Sequence, residues 1–244
     1  MRCEAELEFD HNGWPIQHSC CQCQDTGFVR YELARTEPGF GKAHNCPSCG
    51  GAKAPLEREA IRMNIPIEYQ GKTFADWDDV GDQRRRVVAY ASNWPPKKPF
   101  LVMAGKPGTG KTHLACAAMT DVYERHSVRS QFHNTPDLIA RYQATYDPNR
   151  ATETAAEIDE VMARVPLLVL DEFGAQRDSP DASLRVFRII DMRYRERKPL
   201  IVTTNRDAGE LADMDPRIYS RLMDSGMGEV VTFNLPDYRQ RGTR

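Results

Sequence analysis

Apolar residues in this chain fall into short unbroken runs, separated by stretches with helical spacing. Phe100-Leu101-Val102-Met103-Ala104, Pro166-Leu167-Leu168-Val169-Leu170 and Pro199–Thr204 show no in–out alternation, as strands covered on both faces require. Glu229–Phe233 reads as a further strand, and Val128–His133 as another despite its polar residues. Helical spacing is read over Gln83–Asn93 and from the residues after Gly110 to about His126, where Leu114, Ala118 and Val122 recur with Ala115 and Met119 beside them. Thr135-Pro136-Asp137 opens another helix, with Thr135 as N-cap and Pro136 at the first helical position. That helix carries Leu138, Ile139 and Tyr142 and breaks at Asp147-Pro148-Asn149. Ala155–Ala163, Asp181–Arg197 and Arg217–Met223 complete the set, with Leu184, Phe187, Ile190 and Met192 near one face of the long helix. Strands alternating with helices predict an α/β fold built on a parallel sheet with right-handed crossovers. Ligands of such sheets sit at the carboxyl ends of the strands.

Three polar groups occupy such ends. Gly105-Lys106-Pro107-Gly108-Thr109-Gly110-Lys111-Thr112 follows the first apolar run and precedes a helix, the context a phosphate-binding loop needs. Its glycines let backbone N–H groups turn toward an anion, and the helix start adds a partial positive charge. The loop, from Gly105 through His113, is the expected nucleotide-binding segment. Lys111 is expected at the β- and γ-phosphates and the Thr112 hydroxyl on Mg²⁺. Asp171-Glu172 ends the second run. Asp171 suits the Mg²⁺ shell, and Glu172 is placed to orient or deprotonate a water that attacks the γ-phosphate. Asn205 ends the third run and can hydrogen-bond the same water or phosphate. Further on, Arg217 and Arg221 lie four apart on one helical face. An arginine that stabilises transition-state charge can come from a neighbouring molecule; a solvated charged face, or pairing with Asp213 or Asp215, accounts for the spacing equally well.

The first 55 residues have a different character. They hold six of the seven cysteines and show little hydrophobic periodicity, so they need a staple. Cys20-x-x-Cys23 and Cys46-x-x-Cys49, separated by 22 residues, suit a tetrahedral Zn²⁺ site with all positions filled and therefore a structural role. Cys21 could replace Cys20, and His18 or His44 could enter. Phe28-Val29-Arg30-Tyr31 alternates like a short strand between the pairs. Residues 1–55 are thus expected to form a zinc-binding, partner-docking module, 56–72 a connector in which Leu56–Met63 is a short helix ended by Pro66, and 73–244 the nucleotide domain. A formal net charge of -2 excludes a strongly basic nucleic-acid coat but permits a local basic patch. No signal-like segment or run near the roughly 20 residues of a membrane span is read, which points to the cytoplasm, with no membrane partner, and to metal-bound or free thiols.

The phosphate loop, Asp171-Glu172, Thr203-Thr204-Asn205 and Arg217-Ile218-Tyr219-Ser220-Arg221-Leu222 resemble, in order and spacing, AAA+ ATPases, most of all the DnaC/DnaI helicase loaders and the related IstB transposition ATPases. Thr73-Phe74-Ala75-Asp76-Trp77, Ile189-Ile190-Asp191-Met192-Arg193-Tyr194 and the Cys20–Val29 segment fit the same group. The resemblance implies an ATPase acting as a loader of a hexameric replicative DNA helicase onto single-stranded DNA, with an IstB-like transposase assistant as the alternative. It implies ATP, Mg²⁺ and Zn²⁺ as bound species, Asn205 as sensor, and self-association through the ATP site with Arg221, or else Arg217, reaching a neighbour's nucleotide. It also implies a core without a full helical lid, since eleven residues follow Phe233, and a DNA-contacting helix near residues 135–150, where Arg141, Tyr142, Tyr146 and Arg150 would serve. A small-molecule P-loop kinase and a non-hydrolysing zinc adaptor are the readings from other classes; Glu172 and Arg221 favour water as the phosphoryl acceptor over the kinase.

Overall fold

The run Phe100–Gly105 forms strand β1, and its first four residues are fully buried. Each such side chain contributes about 1.5–3 kcal/mol of transfer free energy, so the run can only lie inside a sheet covered on both faces. The computed structural model describes residues 59–77, 82–147, 151–176 and 179–238, with the backbone of four two-residue strands ahead of them. The chain divides into two units, Met1–Arg62 and Met63–Arg244.

In the second unit, helix α1 (Gln83–Ser92) precedes β1, and α2 (Lys111–His126) follows it. Next come β2 (Ser130–Asn134), α3 (Thr135–Ala144), α4 (Ala155–Arg164), β3 (Leu167–Phe173) and α5 (Pro180–Arg195). The unit ends with β4 (Leu200–Thr204), α6 (Ala208–Met214), α7 (Pro216–Leu222) and β5 (Gly228–Phe233). All five strands are parallel in the order β2-β3-β4-β1-β5. Phe100, Val102, Leu168, Leu170, Leu200 and Val202 share one core with α3, α4, α5 and α7. The alternate residues point to the other face, where α2 crosses β1 to β4 with α1 beside it. The polar β2 is an edge strand, with Ser130 and Phe132 buried and Gln131, His133 and Asn134 half-buried.

Three local expectations change. The cap of α3 is Asn134, whose side chain accepts from the Asp137 N–H, because the Thr135 hydroxyl donates to the Asp171 carbonyl at 2.8 Å. On α5 the buried positions are Ala182, Val186, Ile189, Ile190, Asp191 and Arg193, while Leu184 is 38% exposed and Phe187 and Met192 are half-buried. Arg193 holds a core position through bonds to four carbonyls. Its guanidinium donates to the carbonyls of Met162, Val165, Pro166 and Pro199. Helix α6 was not expected, although Asp207 and Glu210 form a reciprocal capping box at its start.

In the first unit, Glu8–Phe9 pairs antiparallel with Pro15–Ile16, and Phe28–Val29 with His44–Asn45. Of the expected strand at Phe28–Tyr31, Phe28 and Val29 are paired and the last two residues lie outside the described residues. Of the expected helix at Leu56–Met63, residues 59–62 are helical and the earlier ones lie outside the described residues. Cys20, Cys21, Cys23, Cys46, Cys49 and the side chains of His18 and His44 also lie outside them. Among the described residues no group of three or more His, Cys, Asp or Glu could hold a metal ion, and no helix is long and apolar enough to cross a membrane.

Candidate nucleotide site

The turn from β1 into α2 needs glycine twice. Gly108 and Gly110 have φ of +73° and +84°, and a Cβ at either would stand 1.9 Å from another side chain: Asp237 Oδ1 at Gly108, Trp77 Cζ3 at Gly110. The loop is thus pressed from both sides while its curvature is kept. Lys111, at the first position of α2, is 6% exposed. Its Nζ donates to the Gly105 carbonyl at 2.7 Å, the Lys106 carbonyl at 2.8 Å and Asn205 Oδ1 at 2.9 Å. Burial pulls its pKa down to about 8, against the opposing pull of Asp171 and Glu172.

A bulge aims the carboxylates. Leu170 pairs with Val202 but Phe173 pairs with Thr204, so β3 carries one residue more than β4 across Asp171-Glu172. Glu172 takes up the excess at φ +53°, a strained conformation for a side-chain-bearing residue. Thr203 Oγ1 locks the bulge: it accepts from the Glu172 N–H at 3.1 Å and donates to Asp171 Oδ1. Thr112 Oγ1 donates to the same Asp171 oxygen at 2.9 Å. Burial pushes the Asp171 carboxyl above the usual carboxylate range, and the bonds from Thr203 and Thr112 pull it back. Glu172 is exposed, and its Oε2 accepts from Asn134 Nδ2 at 3.0 Å.

A cavity of about 300 Å³ opens beside these groups. Pro107 to Thr112, Glu172, Thr203 and Asn205 line it together with Tyr69, Trp77, His113 and Tyr238. A 3₁₀ turn at Phe74–Asp76 sets Trp77, with the Asp76 carboxylate accepting from the Thr73 N–H at 2.7 Å and from its hydroxyl at 2.8 Å. The Trp77 and His113 rings meet edge to face at 5.8 Å. Tyr238 arrives through its N–H, which donates to the Gly108 carbonyl at 2.8 Å. Loop N–H groups and aromatic rings lining one cavity fit the phosphates and base of a nucleotide. Thr112 and Asp171 offer only oxygen, the donor set a hard cation such as Mg²⁺ takes.

Lys111, Thr112, Glu172 and Asn205, drawn from three strand ends, thus line one cavity, and buried Asp171 is joined to it through the bonds from Thr112 and Thr203. Arg221 and Arg217 do not line it. Arg221 Nε donates to Asp191 Oδ1 at 2.6 Å, and Arg217 is paired with Asp215 at 2.8 Å. The expected DNA-facing residues also have other occupations: Tyr142 is fully buried with its hydroxyl on Asp159, Arg141 pairs with Glu153, and Arg150 lies outside the described residues. Tyr146 is 53% exposed and donates to Asp181. Sequence reasoning assigned no role to Thr203, Asn134, Tyr69 or Tyr238. Thr203 could have been found from its place in a strand end beside Asn205; Asn134 lay hidden behind the expectation that Thr135 was the cap.

The pattern of the IstB-like ATP binding proteins matches residues 59–241. The replicative helicase loader DnaC of Escherichia coli strain K12 is 30% identical over 192 residues, covering 78% of this chain and 73% of DnaC. An insertion sequence ATP-binding protein of Sinorhizobium fredii is 28% identical over 237 residues, covering 95% of this chain and 71% of its own. Among solved structures, the DnaC helicase loader superposes with a TM-score of 0.59 at 27% identity, over 69% of this chain and 99% of that one. The cradle, the bulged carboxylates and these relatives agree: the chain belongs to the IstB-like ATP-binding family and is a P-loop AAA+ ATPase.

Proposed function

We propose that this protein is an ATP-dependent loader that places a replicative, hexameric DNA helicase on single-stranded DNA and hydrolyses ATP to ADP and phosphate. The observation that carries this reading is the likeness to DnaC across most of both chains, in sequence and in structure. In this reading the triphosphate enters the Gly105–His113 loop and takes Lys111 from its backbone and Asn205 partners. Thr112 and Asp171 would hold Mg²⁺, which when bound supplies charge neutralisation at the phosphates. Glu172 orients the attacking water and accepts its proton, Asn205 holds the same water or the γ-phosphate, and Arg221 of a neighbouring subunit meets the developing charge. ATP binding assembles subunits that grip DNA, and hydrolysis releases them. Residues 1–55 form a docking module whose Cys20, Cys23, Cys46 and Cys49 bind Zn²⁺, four thiolates in two pairs being the donor set zinc takes. Residues 56–72 connect it to the ATPase domain at 73–244.

Capture on Glu172→Gln protein under ATP tests the reading: a hexameric helicase should co-purify, and loading should vanish in Lys111→Ala. Normal loading by Lys111→Ala would overturn it. Metal analysis should find one zinc per chain, lost when Cys20 and Cys46 become Ser. A second reading, assistance to a transposase, is favoured by the Sinorhizobium relative, whose match extends over 95% of this chain. Recovery of a transposase in place of a helicase would select it.

A further inference from the structure

Arg221 stands at the edge of the sheet opposite its own phosphate cradle. Its partner Asp191 lies two residues before Arg193, which donates to the carbonyls of Pro166 and Pro199, directly ahead of β3 and β4. Tyr194 packs its ring at 6.3 Å from that of Phe100, the first residue of β1. The cradle is at the far end of those strands, about 17 Å away along β1.

The guanidinium is nevertheless held in a defined pose. Nε and Nη2 both lie 2.6 Å from Asp191 Oδ1, and Nη1 donates to the Arg217 carbonyl at 3.0 Å. Its plane stacks 4.7 Å from the centre of the Phe187 ring, which also carries Arg217 at 4.4 Å. Asp191 is buried, and its other oxygen takes Arg195 Nη2 at 2.7 Å. Arginine has five N–H donors. Side-on pairing with Asp191 and the bond to Arg217 occupy three, leaving one N–H on each terminal nitrogen. That end-on fork matches two oxygens of a phosphate.

We propose that Asp191 and Phe187 are positioning residues for hydrolysis in trans: they hold the Arg221 fork toward the terminal phosphate bound by a second copy of this chain. The inference rests on the reading of Arg221 as the residue donated to a neighbour. With Asp191 neutralised, the Arg195 and Arg221 guanidinium groups face each other uncompensated, and the pose is lost while the protein's own cavity stays intact.

Mixed-subunit ATPase assays test this. Asp191→Asn should lower kcat about tenfold or more without changing ATP affinity, as misplacement by an ångström suffices for such losses. Arg221→Ala should do the same. Adding Glu172→Gln protein, which cannot hydrolyse but carries an intact Arg221, should restore turnover to both; adding Asp191→Asn/Glu172→Gln protein should restore neither. A normal kcat in Asp191→Asn overturns the inference, as does rescue of Arg221→Ala but not of Asp191→Asn. Failure to rescue Arg221→Ala itself removes the underlying reading of the arginine. If Asp191→Asn does not fold, Phe187→Leu takes its place with the same expectations.

Discussion

Among the described residues two cations are buried, one at the carboxyl ends of the strands and one at their amino ends. Lys111 and Arg193 are 6% and 0% exposed, both donate mainly to backbone carbonyls, and burial lowers the pKa of both, to about 8 and about 10. Lys111 opens on a cavity, and its partners can be exchanged for phosphate oxygens. Arg193 is sealed among carbonyls of Met162, Val165, Pro166 and Pro199, where it joins the end of α4 to the starts of β3 and β4. A buried charge with replaceable partners marks a ligand site; one whose partners have no substitute is a staple.

Removing each cation should therefore have opposite signatures. Arg193→Met keeps the volume but strands several buried carbonyls, at about 1–3 kcal/mol for each one left unsatisfied. Denaturant unfolding should show a loss of about 3 kcal/mol or more, and ATP should still stabilise whatever folds. Lys111→Ala should leave unliganded stability within about 1 kcal/mol, because it removes a desolvated charge together with its bonds. Turnover should fall by about a hundredfold or more, the scale of losing one preorganised donor to a developing anion, and ATP should no longer raise the melting temperature. Equal destabilisation by the two changes would erase the distinction.

The Lys111 end also titrates in a testable window. The folded protein releases this proton at about pH 8 and the unfolded chain near 10.5. The unfolded state therefore binds more protons between those values, and stability without nucleotide should rise with pH across them. Triphosphate binding needs the charged lysine, so affinity should fall over the same window, by up to tenfold per pH unit. Calorimetric titration from pH 7 to 9.5 checks both slopes, with Lys111→Arg, which stays charged, as the flat control.

The two ends were not equally legible. The cradle was, because its chemistry needs contiguous residues: glycines, Lys111 and Thr112 within one turn, and two carboxylates at the end of an apolar run. The parallel α/β sheet needed only apolar runs alternating with helices. Arg193 was illegible as a staple, since its partners come from residues 162–199 and a lone charge on a helix reads as solvated. For the same reason Leu184, Phe187, Ile190 and Met192 read as one face of α5, although Leu184 is exposed. The bulge at Glu172 was hidden too, because a one-residue excess in β3 depends on the register of β4 and on the Thr203 hydroxyl. Arg221 was singled out by spacing, yet its hold on Asp191, 30 residues earlier, belongs to tertiary structure alone.

The finest test of the cradle end concerns Asn134. Its oxygen caps α3 by accepting from the Asp137 N–H, while its amide donates to Glu172 Oε2. The two halves of one side chain therefore do different work. Asn134→Ala removes both and should cost about 1 kcal/mol through the lost cap. Asn134→Asp retains a cap of equal quality but replaces the donor with a like charge, so Glu172 is turned away from α3 toward the cavity. Basal hydrolysis by Asn134→Asp should increase a fewfold with unchanged melting temperature. Unaltered turnover in Asn134→Asp would mean that the amide merely rests on Glu172, and that the bulge with Thr203 alone sets the direction of the base.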